Sequence, residues 1–133
     1  MKLTFKKAER LTSRKIIDKI FAEGNMLKKY PILLKYIAVE FRDEEPLKIV
    51  MSVPKRRIKK ASDRNRIKRL MREAYRQNRM PFKEKMKAEG KSLALFFIYN
   101  GKENPDFATI EEKIKLILKE LSRVMSTETK EEL

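Results

Sequence analysis

Apolar positions along the chain switch between helical and strand spacing, and the switches outline the elements. The leading MKLTFKKAER has no clear period and reads as an extended arm packing through Leu3 and Phe5. Behind it, Thr12 or Ser13 can cap a helix, because a hydroxyl there accepts a free amide of the first turn. Ile16, Ile17, Ile20 and Phe21 then form i, i+4 pairs, and Gly24 supplies the stop. PILLKYIAVEF from Pro31 and LKIVMSV over 47–53 are rich in β-branched and aromatic residues, and the turn-like RDEEP between them predicts an antiparallel hairpin. Residues 26–29 make a further short strand. Pro54 ends the pairing and opens a basic loop, PKRRIKKAS. A helix follows from Ala61 or Ser62 to near Arg79, closed off by Pro81 and followed by a polar helical extension, FKEKMKAEGK. The run SLALFFIY over 92–99 is short, bounded and aromatic, as expected of a buried strand. After Asn100, Gly101 and Pro105, Asp106 or Thr109 caps a last helix in which Ile110, Ile114, Ile117, Leu118, Leu121, Val124 and Met125 repeat at helical spacing. The order α-β-β-β-α-β-α describes an α/β (α+β) two-layer sandwich, a four-stranded sheet with a β-α-β crossover. Residues 1–125 form one domain, and STETKEEL over 126–133 reads as a disordered tail.

Composition changes that picture chiefly through charge. A chain of 133 residues supports one compact domain, and 41% hydrophobic residues supply its core. The net charge is +15, from 34 bases against 19 acids, and bases run from Lys2 to Lys130, so the excess is spread over the whole surface. Such a field favours a polyanion as partner. The chain has no cysteine and no histidine, which excludes disulfides, thiolate metal sites, zinc fingers and Ser-His or Cys-His nucleophilic catalysis. Carboxylates holding Mg²⁺ would remain for an enzyme, yet Asp43, Glu44 and Glu45 fall in a turn and Glu128, Glu131 and Glu132 in the tail. The longest apolar run, 93–99, is too short to span a bilayer, and residues 1–11 lack a signal-peptide core. The expected setting is soluble and cytoplasmic, with no membrane partner.

The stretch DRNRIKRLMREAYRQNR, 63–79, holds seven bases and two acids and still carries an apolar stripe. On a helix, Ile67, Leu70, Met71, Ala74 and Asn78 share the side facing the core. Arg64, Lys68 and Arg72 then stack along one flank, Asn65, Arg69 and Arg76 fall on the outer side, and Arg66 lies on the opposite flank near Glu73. Like charges four apart repel by roughly a few tenths of a kcal/mol per pair. An external polyanion reverses that cost. A plain solvated face is the alternative, but such faces mix signs, as the last helix does with Glu111, Glu112, Lys113, Lys115, Lys119 and Glu120. Arginine also outnumbers lysine six to one in the stretch, and its planar fork suits bidentate phosphate binding. The loop PKRRIKK adds cations beside the helix N-terminus, where free amides favour phosphate. RNA is favoured over DNA, because a helix that reads a DNA groove usually belongs to an all-helical unit. RNA proteins more often hold single strands in a sheet or cleft with aromatic platforms. Phe21 and the strand face with Lys35 and Ile37 are candidates for lining one, although a core position for Phe21 stays open.

The segment RNRIKRLMREAY resembles the RNR signature of the bacterial ribonuclease P protein component, with arginine, asparagine and arginine followed by Lys68, Arg69 and Arg72 on a helix behind a basic loop. FKKAERL, IIDKIFAEG and LKIVMSVPK look like the family's corresponding segments, so the resemblance covers residues 5–80, and the rest fits by order and pattern. It implies a protein that binds ribonuclease P RNA and the 5′ leader of precursor tRNA, in an endonuclease whose chemistry belongs to the RNA and its Mg²⁺. No catalytic residue is expected in this chain. Arg64, Asn65, Arg66, Lys68, Arg69 and Arg72 would face RNA, with Arg76, Lys55 and Arg56 beside them. The family's leader cleft has two aromatics on the first helix and one on a strand; here those positions are Ile17, Phe21 and Lys35. Ile17 cannot stack on a base, and Lys35 is suited to a phosphate instead. Lys59 and Lys60 stand where many members carry Gly-Asn. The implied fold is like a domain of a small-subunit ribosomal protein and of a translocating elongation factor, with a left-handed crossover where pattern alone suggests a right-handed one. A ribosome-associated or chaperone-like RNA-binding protein is the alternative function.

Overall fold

The computed structural model describes residues 7–131, so Leu3 and Phe5 of the expected arm lie outside the described residues. A 3₁₀ turn at Lys7–Glu9 leads to α1 (Arg14–Glu23). Ser13 is its cap: the Ile16 amide donates to Ser13 Oγ at 3.2 Å. Gly24 ends α1 for a steric reason, since a Cβ there would collide with the Ile20 carbonyl oxygen that accepts the Gly24 amide. β1 (Asn25–Lys29) and β2 (Ile32–Ala38) form a hairpin around a cis Tyr30–Pro31 peptide. β3 (Leu47–Ser52), the basic loop and α2 (Ala61–Asn78) follow. α2 ends at Asn78, near Arg79 and short of Pro81, as the sequence suggests. Pro81 sits in the first turn of α3 (Met80–Ala88), where its missing amide breaks no bond. Two residues past the end of α3, Gly90 has a φ of 66° that lets the Lys91 amide turn back to the Met86 carbonyl at 2.9 Å. β4 (Leu93–Tyr99) and α4 (Phe107–Glu131) complete the chain. Asp106 caps α4 by accepting the Thr109 amide at 2.9 Å. The helix runs to Glu131, into the segment 126–133 read as a tail, of which residues 132–133 lie outside the described residues.

The sheet order is β1-β2-β4-β3, with β4 antiparallel to β2 and parallel to β3. The expected hairpin between the strands at 31–41 and 47–53 is therefore not formed; β4 separates them. The physical reason lies in β4, whose LALFFIY is apolar on both faces and needs cover on both, which a central strand receives. β3 alternates buried and half-buried positions and takes the edge. α2 and α3 carry the chain from β3 to β4 and make the β-α-β crossover.

α2, α3 and α4 cover one face of the sheet. Leu34, Ile49, Leu95 and Phe97 there join Ile67, Met71, Ala74, Tyr75, Phe82, Met86, Ile114 and Ile117 in one core. The Tyr75 ring lies 5.8 Å from that of Phe97, and burial pushes its phenol pKa far up. The other face receives α1, with Leu11, Ile20, Ile37 and Ala94 buried and Ile16, Ile17, Val50 and Phe96 partly covered. An ion cluster ties the 3₁₀ turn to the α2–α3 junction. Glu9 and Arg79 are 1% and 2% exposed, which buried charges tolerate only when paired. Arg79 Nε approaches Glu9 at 3.1 Å, and Lys83 bridges Glu9 and Glu45. Burial alone would lower the Lys83 pKa, but hydrogen bonds to Glu45 and Glu9 outweigh it and raise it.

Candidate nucleic-acid interface

α1 is too short to cover its face of the sheet, and a trough remains at its C-terminal end. Phe21, in the last turn, is 49% exposed; its ring meets Phe96 edge-on at 5.0 Å and 75°. Lys35 Nζ sits 4.6 Å from the Phe21 ring centroid, a cation over an aromatic face. Strand register places Lys35 opposite Phe96 on β4 and opposite Met26 on β1, and Met26 is 58% exposed. Phe21, Lys35, Phe96 and Met26 thus line one open strip, flanked by half-buried Ile17. Ile37 does not join it, because α1 buries that side chain. Phe96 and Met26 are the positions that sequence reasoning misses. Alternation along LALFFIY is the available signal for the first, since it puts Phe96 on the face opposite Phe97.

The α2 cations divide into two sets. Arg64 donates to the Ile58 and Lys59 carbonyls at 2.9 and 2.7 Å and folds the basic loop against the helix start. Arg66 donates to Asn104 Oδ1 and, at 2.8 Å, to the Pro105 carbonyl. Asn104 in turn donates to Asp63 Oδ1 at 3.3 Å, so the first turn of α2 is tied to the β4–α4 loop. The guanidinium of Arg66 is thus engaged with that loop. Glu73 accepts Arg76 and Gln77, whose hydrogen bonds pull its carboxyl pKa down to about 2. The second set has no such ties. Asn65, Arg69 and Arg72 are exposed and Lys68 half-buried, and none of the three cations has an acidic partner among the described residues. Lys55 and Arg56, exposed in the turn that opens the basic loop, are likewise unpaired there.

Among the described residues no three acidic side chains converge, whereas a divalent cation needs several oxygen ligands. Among the described residues no helix is long and apolar enough to cross a membrane.

A row of unpaired cations beside a half-covered sheet face that bears an exposed ring defines a basic α+β nucleic-acid-binding protein. Comparison with known proteins narrows the class. A family model described as Ribonuclease P matches residues 5–122. The chain is 32% identical over 127 residues to the ribonuclease P protein component of Porphyromonas gingivalis, covering 95% of this chain and 93% of that protein. The corresponding component of Chlorobaculum tepidum is 44% identical over 63 residues, 45% of this chain and 41% of that one. The RNase P protein of Thermotoga maritima superposes with a TM-score of 0.64 at 27% identity, covering 84% of this chain and 96% of its own. That of Staphylococcus aureus gives 0.66 at 18% identity, over 85% and 94%, and supports the fold. The chain belongs to the family of bacterial ribonuclease P protein components. Its context is a ribonucleoprotein endonuclease of tRNA processing, with an RNA as partner.

Proposed function

We propose that this chain binds ribonuclease P RNA through α2 and the basic loop and holds the 5′ leader of precursor tRNA in the Phe21–Lys35 trough, promoting 5′ maturation in the cytoplasm. Mg²⁺ and the RNA supply the chemistry, and the protein supplies affinity and position. The observation that carries this reading is the division of the α2 cations. Arg64, Arg66 and Arg76 are held by protein groups, while Lys68, Arg69 and Arg72 have no acid to satisfy them among the described residues. Unpaired cations on a rigid helix keep their full capacity to displace counterions from phosphates. Arg64 and Arg66 shape that surface by fixing the loops on either side of the α2 start. In the trough, Lys35 covers one face of the Phe21 ring, so a base cannot stack there while the lysine stays. The leader is met at this point by a phosphate contact to Lys35 and by apolar contact with Phe21, Phe96 and Ile17.

Reconstitution with ribonuclease P RNA tests the proposal. Cleavage of precursor tRNA at low Mg²⁺ should rise clearly when the protein is added. RNA binding without any stimulation would sink it and leave a ribosome-associated or chaperone-like RNA binder. Lys68→Ala combined with Arg72→Ala should keep the fold and flatten the salt dependence of RNA affinity by roughly 0.7 to 0.9 for each phosphate the side chains no longer neutralise.

A further inference from the structure

A second cleft, at the opposite end of α1 from Phe21, belongs to neither the trough nor the outer row of α2. It arises where cover of the β3 edge stops. The segment before α1 meets β3 through one isolated parallel bridge, Arg10 to Ile49, with the Leu11 amide donating to the Ile49 carbonyl at 2.7 Å. The chain then turns away at Thr12 and Ser13 to start α1, which leaves the edge beyond Ile49 uncovered. The cleft holds about 480 Å³ and is lined by Arg10, Leu11, Thr12, Ile49, Val50, Met51, Lys68 and Arg72. Against about 30 Å³ for a water molecule in the liquid, that volume admits the phosphate and sugar of a nucleotide.

Its lining carries three cations and no acid. None of the three is paired with an acid among the described residues. Arg10 comes from the segment before α1 and Lys68 and Arg72 from α2, so cations from two separate parts of the chain line one cleft. A helical row facing outward does not offer that arrangement. The edge itself is too short to recruit a protein strand, because β3 ends at Ser52 and Pro54 removes the next donor. Charge therefore decides the occupant.

We propose that this cleft clamps one strand of the ribonuclease P RNA by its phosphodiester backbone, with Arg10 as a binding residue alongside Lys68 and Arg72. The inference rests on the function proposed above. The catalytic RNA, not the leader, is the occupant, because two of the three cations belong to the α2 surface assigned to that RNA, and the Phe21 trough lies at the far end of α1.

Two measurements test it. Arg10 is exposed and its side chain stays outside both hydrophobic clusters, so Arg10→Gln should fold normally. Its affinity for ribonuclease P RNA should lose roughly 0.7 to 0.9 of log–log salt slope, one phosphate contact. An unchanged slope beside normal binding by the unaltered chain would overturn the cleft alone; failure of the unaltered chain to bind that RNA would overturn both readings. Because the chain has no cysteine, Thr12→Cys provides a single attachment point for an iron chelate that cuts nearby RNA. Cuts confined to one strand of the ribonuclease P RNA support the clamp. Cuts only in the leader, or none at all as an acidic protein segment in the cleft would give, refute it.

Discussion

Phe96 and Phe97 are neighbours in β4 and face opposite sides of one sheet. Phe97 is fully buried beneath Tyr75, under a layer of three helices. Phe96 is half-buried, with the short α1 above it and the exposed Phe21 ring at its edge. The contrast separates two tasks that a small domain must share. The face under α2, α3 and α4 supplies cohesion, while the face under α1 keeps apolar and aromatic surface that a partner can complete. The sharpest way to break this division is to truncate each ring. Phe97→Ala should cost about 3–5 kcal/mol, through the transfer energy of the ring and a cavity that cannot collapse. Phe96→Ala should cost about 1–2 kcal/mol, since only part of its area leaves water on folding. Equilibrium denaturation of both variants decides the matter. Equal losses would mean that the α1 face is ordinary core.

Much of this is legible in the sequence, and the failures have physical causes. Elements with a strong period, α1, α2 and α4, follow directly because burying a stripe imposes the period. Strand order does not, because it is a non-local choice. Two adjacent apolar runs suggest a hairpin, and only the two-sided hydrophobicity of β4 argues that it must lie between them. The buried pair Glu9–Arg79 joins residues 70 apart, so no local pattern announces it. In the interface, the stripe of α2 correctly puts Asn65 and Arg69 outward. It cannot show that Arg66 finds Asn104 and Pro105, because that loop is brought alongside by the packing of α4.

The same division reappears within α2 and gives the next test. Arg66→Ala removes a charged donor from a loop contact and should cost about 1–2 kcal/mol, below the range for fully buried charged hydrogen bonds because the site is partly exposed. Arg69→Ala should change stability by less than about 0.5 kcal/mol yet reduce the salt slope of RNA binding by roughly 0.7 to 0.9. Thermal melts and a salt titration of both variants check the pair. An Arg69→Ala variant that melts early while binding RNA normally would reverse the assignment of tied and free cations.

On the sheet, a smaller effect distinguishes the two members of the Lys35–Phe21 pair. An exposed cation–π contact contributes about 0.5–1 kcal/mol, so Lys35→Ala should lower stability by no more than that. The larger change is expected in leader binding, compared between precursor tRNA with and without its leader. Removing Lys35 takes away one phosphate contact, and the preference for the leader should become less salt-sensitive. It also uncovers the Phe21 ring, which then stacks on a base. Affinity at high salt should consequently be preserved or raised. A uniform loss at all salt concentrations would show that Lys35 merely supports the ring.

The smallest effect belongs to Glu73, which holds Arg76 out of the free set. Hydrogen bonds from Arg76 and Gln77 depress its pKa from the ordinary 4.5 to about 2. A depressed carboxyl pKa adds stability that is fully present above 4.5 and is lost as pH falls through about 2. The group is largely solvent-exposed, so that contribution is about 0.3–0.5 kcal/mol, the value of a surface helical pair. Glu73→Gln should erase this acid-dependent component in melts between about pH 5 and about pH 2, a range that brackets the two pKa values. At neutral pH the same change removes the carboxylate charge that Arg76 faces, and the salt slope for RNA should steepen by roughly 0.7 to 0.9. A variant that binds RNA with an unchanged slope would place Arg76 outside the reach of the partner and end the RNA surface of α2 at Arg72.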